Sequence, residues 1–153
     1  MALQIGDQAP SFKLVNTDKK EVSLEDYKGK KLVILFFPLA YTGVCTTELC
    51  TIRDDIQSYN NVGADVVAIS VDSFAVLGKF KEDQNLNFDL LSDFNKDVSA
   101  SYGALYEEFV LGMKGVSKRS AFVIGPDGKI KYAEVLESAG DLPNFEGIKA
   151  ALG

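Results

Sequence analysis

The chain has 153 residues, 46% of them hydrophobic and 25% charged, with a net charge of −6 and no histidine. One compact domain over residues 1–153 fits that length and composition, and an acidic balance without a basic run sets aside nucleic acid as a partner. The missing histidine excludes Ser-His-Asp and Cys-His nucleophile pairs, imidazole metal ligands and His-ligated haem, and two cysteines are too few for a four-thiolate zinc site, so no metal or cofactor is expected.

Residues 1–7 hold neither a basic stretch nor a long apolar run, and no apolar segment reaches the roughly 20 residues that cross a bilayer. A cytoplasmic location without a membrane partner is expected. Residues 12–15 and 21–24 are short β-like runs around the polar turn Asn16-Thr17-Asp18-Lys19, which predicts an N-terminal hairpin. Ser23 and Asp26 are spaced to cap a short helical turn that stops at Gly29. Residues 31–37 are apolar, β-branched and aromatic without alternation, the pattern of a central strand covered on both faces. Pro38 ends that strand, and residues 39–44 form a loop containing Gly43.

From about 44 to 59 the pattern turns helical, with Leu49, Ile52, Ile56 and Tyr59 near 3.6-residue spacing. Residues 64–71 read as a second buried strand, and Asp72 or Ser73 caps a helix carrying Phe74, Leu77 and Phe80. A short strand over 88–91 and a helical segment over 97–102 follow. Residues 121–124 and 129–133 are β-like and joined by the turn Gly125-Pro126-Asp127-Gly128. A closing helix over 144–152 places Phe145, Ile148 and Leu152 on one face. Strands alternating with helices, plus a late hairpin, predict an α/β fold with a mixed central sheet flanked by helices.

The informative stretch is 36–50, where a buried strand ends and a helix begins. Reactive groups in open α/β sheets gather at the carboxyl ends of strands. Cys45 falls in the first helical turn, where unpaired backbone N–H groups and the helix dipole favour negative charge, and therefore the nucleophilic thiolate. Chemistry alone leaves two readings open for it: a small buried hydrophobe, the usual fate of a free cysteine, or a nucleophile. Taken singly, Thr42 also reads as a helix cap, Pro38 as a strand terminator, and Arg53 and Arg119 as surface charges.

Pro38-x-x-x-Thr42-x-x-Cys45 resembles the PxxxTxxC motif of the peroxiredoxin family, in the place where that family puts it, after a long apolar strand. Glu48 three residues on, and Arg119 just before Ser120-Ala121-Phe122-Val123-Ile124, also match, and the similarity runs from Asp7 to Ile130. The resemblance implies a thioredoxin-like fold and a thiol-dependent peroxidase that reduces hydrogen peroxide and organic hydroperoxides. Cys45 would attack the peroxide and become a sulfenic acid. Arg119 would hold the thiolate and the peroxide oxygens, Thr42 would orient the peroxide, and Pro38 would shield the sulfur from water. Glu48 would be a structural partner of Arg119 or a helix-face carboxylate.

The spacing Cys45-x4-Cys50 resembles the bacterioferritin-comigratory, or Q-type, peroxiredoxins, which implies that Cys50 resolves the sulfenic acid as an intramolecular disulfide. Residues five apart on a regular helix have Cα atoms about 8.6 Å apart, beyond the roughly 4.4–6.8 Å a disulfide allows, so the bond requires local unwinding. The wording around Pro38–Cys45 and Leu142–Phe145 is closer to the AhpE-like one-cysteine branch, in which an external thiol does that work. The partners implied are a small-molecule peroxide and a thioredoxin-like protein or low-molecular-weight thiol, for a monomer or homodimer. Two other classes stay in view: a thiol–disulfide exchanger, disfavoured by the absence of Cys-x-x-Cys, and a non-enzymatic peroxide-sensing module of the same fold.

Overall fold

The computed structural model describes residues 3–153. Its strands are β1 (Lys13–Asn16), β2 (Glu21–Ser23), β3 (Lys31–Phe36), β4 (Ala64–Ser70), β5 (Asp89–Ser92), β6 (Ser120–Ile124) and β7 (Ile130–Val135). The helices are α1 (Gly43–Asp54), α2 (Ile56–Asn60), α3 (Phe74–Gln84), α4 (Asp97–Ser101) and α5 (Phe145–Leu152). Among the described residues one mixed sheet of seven strands has the order β2-β1-β5-β4-β3-β6-β7. Its centre is parallel, β3 against β4 against β5, while β6, β7 and the N-terminal hairpin run antiparallel to their neighbours. This is the expected thioredoxin-like α/β architecture with an N-terminal hairpin.

The unbroken apolar run of β3 is explained by two cores. Val33, Leu35 and Phe37 pack on one face with Leu49 and Ile52 of α1, Leu77 and Phe80 of α3, and Ile148 and Leu152 of α5. Leu32, Ile34 and Phe36 pack on the other with Val98 of α4, Tyr102, Phe122 and Phe12. A strand covered on both sides has no polar face to show in its sequence. Among the described residues no helix is long and apolar enough to cross a membrane.

Most boundaries agree with the sequence reading to within two residues, one differs for an identifiable reason, and one choice between two caps is resolved. The helix expected over 44–59 breaks at Asp55, which leaves the helical region at φ −117° and ψ 17°. There the Asp55 N–H donates to the Ile52 carbonyl and the Asp55 carbonyl accepts from the Ser58 N–H, three-residue turns in place of the four-residue ladder, while its carboxylate accepts from the Ser58 hydroxyl at 2.6 Å and pairs with Lys149 of α5. Ser73, not Asp72, caps α3, its Oγ accepting from the Val76 N–H at 3.2 Å. Asp72 has a different task, at the site.

Candidate active site

β3 delivers the chain to Pro38, which is buried, and α1 leaves at Gly43, so the loop between them lies beyond the carboxyl end of a central parallel strand. Cys45 is the third residue of α1 and has no exposed surface. The register of β3 with β6 pairs Phe36 with Ser120, which brings the residue before Ser120 alongside the end of β3. That residue is Arg119, 1% exposed. Its Nη2 donates to Cys45 Sγ at 3.3 Å, and its Nη1 donates to Glu48 Oε1 at 2.6 Å. The Ala139 carbonyl accepts from Nε at 3.3 Å and from Nη2 at 2.9 Å, which fixes the plane of the guanidinium. The burial expected of a free cysteine is present, and so is a feature that the second reading, a nucleophile, requires. The sulfur is enclosed by the core, yet a permanent cation addresses it.

Glu48, one helical turn beyond Cys45, is fully buried, and its Oε2 has no hydrogen-bond partner among the described residues. Burial pushes its carboxyl up to about 7; the Arg119 guanidinium pulls the other way, and Glu134 of β7 adds to the rise. For Arg119 burial acts downward, but its contacts with Glu48 and Cys45 outweigh it, so the guanidinium stays charged.

The loop before α1 is held by several bonds. Thr42 occupies the N-cap position, but its side chain does not cap the helix; its hydroxyl donates to the Leu39 carbonyl at 2.8 Å. The Ala40 N–H donates to Asp72 Oδ2 at 2.8 Å, and the same oxygen accepts from Ser70 Oγ at 2.7 Å. Tyr41 is left-handed at φ 67°, a strained conformation for an aromatic residue, and is held there by its hydroxyl on Asp83 Oδ2 at 2.7 Å and its ring against Phe80. Asp72, Asp83 and the Ala139 carbonyl were missed by sequence reasoning. A main-chain acceptor has no residue signature, and an aspartate following a strand reads first as a helix cap.

Cys50 lies on the same unbroken helix as Cys45, and both thiols are free. Five residues turn about 140° around a helix, so the two sulfurs leave it in different directions. Cys50 Sγ is 3.5 Å from Gln84 Oε1 of α3, and Arg53, read from sequence as a helix-surface charge, donates to the Gln84 carbonyl at 2.6 Å. The structure thus joins Cys45, Glu48 and Arg119, leaves Pro38 and Thr42 in the loop that leads into α1, and sets Cys50 apart on the side of α1 that faces α3.

Residues 5–133 match the AhpC/TSA family. Peroxiredoxin Bcp of Escherichia coli is 37% identical over 132 residues, 85% of this chain and 84% of that one. The mitochondrial thioredoxin-dependent peroxide reductase of Rattus norvegicus is 39% identical over 158 residues, which span 97% of this chain and 58% of the longer rat protein. The crystal structure of peroxidoxin BcpB from Mycobacterium tuberculosis superimposes with a TM-score of 0.86 at 30% identity, over 98% of this chain and 96% of that one.

Proposed function

The chain belongs to the AhpC/TSA family and is a thiol-dependent peroxidase, and we propose that Cys45 is the sulfur that attacks the peroxide, within a single domain over residues 1–153. The observation that carries this assignment is the Arg119 guanidinium 3.3 Å from Cys45 Sγ at the head of α1. A charged donor aimed at sulfur stabilises the thiolate and, as the O–O bond breaks, the charge growing on the departing oxygen. Thr42 orients the peroxide through its hydroxyl, and Pro38 shields the sulfur. Since Cys45 is buried, hydrogen peroxide or an organic hydroperoxide enters by displacing the exposed loop that carries Tyr41 and Thr42.

The sulfur forms a bond to the terminal peroxide oxygen, which keeps its hydrogen, and becomes a sulfenic acid while water or an alcohol leaves. Cys50 then displaces the hydroxyl to give a disulfide and water, after the first turns of α1 unwind. A thioredoxin-type protein reduces that disulfide, and a cytoplasmic setting, where thiols stay reduced, supplies it. The separation of the two sulfurs on an intact helix favours one second reading, in which an external thiol resolves Cys45 directly.

Steady-state peroxide consumption with thioredoxin and its reductase separates the two. Cys45→Ser abolishes activity. Cys50→Ser loses thioredoxin-coupled turnover but still forms sulfenic acid; turnover at the wild-type rate would establish the one-cysteine cycle.

A further inference from the structure

Two acids share one buried cation. Cys45 and Glu48, both on α1 and both without exposed surface, accept from different nitrogens of Arg119, which β6 supplies. Two anions on a single guanidinium in a buried pocket leave a net negative charge uncompensated, and like charges in one site do not ionise together. Three features decide which of the two carries the charge. Cys45 lies in the first turn of α1, where the helix dipole favours an anion, whereas Glu48 lies in the second turn, past most of that field. The Glu134 carboxylate of β7 adds a smaller repulsion against a second negative charge there. Glu48 Oε2 is buried with no donor among the described residues, an arrangement that costs an ionised carboxylate more than a neutral one.

We propose that Glu48 is the proton store of the peroxidase reaction: a neutral acid while Cys45 is a thiolate, and a carboxylate once Cys45 becomes a sulfenic acid. This rests on Cys45 being the attacking sulfur. Sulfur is oxidised as it bonds to the terminal peroxide oxygen, and the O–O electron pair leaves with the other oxygen as hydroxide or alkoxide, which takes up one proton. The charge on sulfur disappears in the same step. Arg119 is then left with only Glu48 as a counter-ion, and the carboxyl releases one proton. Thiolate, carboxylic acid and hydroperoxide become sulfenic acid, carboxylate and alcohol or water, with charge and hydrogen balanced and Arg119 paired with one anion throughout. When the thiol is regenerated, its proton returns to Glu48. Glu48 acts through Arg119 and is a positioning residue; the stoichiometry is the same whichever path the proton takes. The raised titration of its carboxyl, to about 7, agrees with this role.

The test uses the full chain with Cys50→Ser, which halts at the sulfenic acid, and one equivalent of hydrogen peroxide at neutral pH in weak buffer. Mass spectrometry follows oxidation of Cys45, ultraviolet absorbance follows the thiolate, an indicator dye follows proton uptake, and infrared difference spectra follow the C=O stretch of a protonated carboxyl. The expected result is loss of thiolate and of one carboxylic-acid band together, with no net proton uptake. In the added presence of Glu48→Gln the band change is absent and one proton is taken up per sulfenic acid. Sulfenic acid formation with no carboxyl band change, or with one proton taken up while Glu48 is in place, would overturn the proposal and leave the peroxidase assignment standing. Failure of Cys45 to oxidise at all would remove that assignment itself. The infrared result on the Glu48-containing protein decides the matter even if the glutamine variant does not fold.

Discussion

At the scale of single residues, Arg119 is the least replaceable group in the site, because one planar fork serves Cys45, Glu48 and the Ala139 carbonyl at the same time. Removing an electrostatic donor of this kind costs about 10²–10³ in rate, and Arg119→Ala is expected to slow sulfenic acid formation by that factor in stopped-flow measurements. Arg119→Lys should recover little, since an ammonium carries the charge but not the fork. An oxidation rate equal to that of wild type would remove Arg119 from the chemistry. Glu48 adds a dependence on pH. A carboxyl ordinarily near 4.5 titrates here at about 7, so between those values the folded chain holds a proton that the unfolded chain has lost. Stability from this group is fully present below the unfolded value and declines as pH rises through the folded one. Denaturant unfolding across that window should show a slope in wild type that Glu48→Gln removes; identical slopes would mean that the carboxyl is ionised throughout. Of these residues, Pro38, Thr42 and Cys45 were singled out in the sequence by a motif, and Glu48 and Arg119 by the wider family resemblance. Tyr41 and Asp72 were not, because their contribution is a backbone angle in one case and a bond to a main-chain N–H in the other.

At the scale of elements, α1 is a helix of limited persistence at its reactive end. It begins with Gly43 and carries Val44, Thr46, Thr47 and Thr51, β-branched residues that restrict side-chain freedom in a helix. Each threonine turns its hydroxyl back to the carbonyl four residues earlier, Thr46 to Thr42 at 2.8 Å, Thr47 to Gly43 at 3.1 Å and Thr51 to Thr47 at 2.7 Å, a pattern that weakens and bends helices. If the turns between Cys45 and Cys50 must open before a disulfide closes, stiffening them slows closure. Replacing the exposed Thr47 and Thr51 by alanine adds roughly 1 kcal/mol of helix propensity, an expected slowing of about fivefold. The rate of disulfide formation after a fast peroxide pulse measures it, and an unchanged rate would show that closure does not pass through an opened α1. The sequence reading found this helix from its apolar spacing but carried it through Asp55, since periodicity reports the buried face and not the local bonds that end the ladder.

For the molecule as a whole, the sheet divides the labour. The face that receives α1, α3 and α5 carries Cys45, while the opposite face packs Phe122 against Phe36 and Tyr102, with ring centroids at 6.0 and 5.2 Å. Phe122→Ala empties part of that second core and should cost about 3–5 kcal/mol in denaturant unfolding. Oxidation of Cys45 per folded molecule should stay within a few-fold of wild type; a loss on the scale of Arg119→Ala would mean that the two faces are not independent. Strand positions and fold class were readable because β3, β4 and β6 are continuous apolar runs bounded by turn residues. Strand order was not, because pairing β6 against β3 depends on contacts between residues far apart in the chain.

That pairing has a consequence for synthesis. Cys45 and Arg119 are separated by 74 positions, so a polypeptide growing on a ribosome presents its sulfur long before the guanidinium exists. Until β6 is translated and slots in beside β3, the nascent cysteine has no guanidinium beside it. On the assignment proposed for Cys45, the contribution of Arg119 to its reactivity therefore arrives only when the sheet is nearly complete.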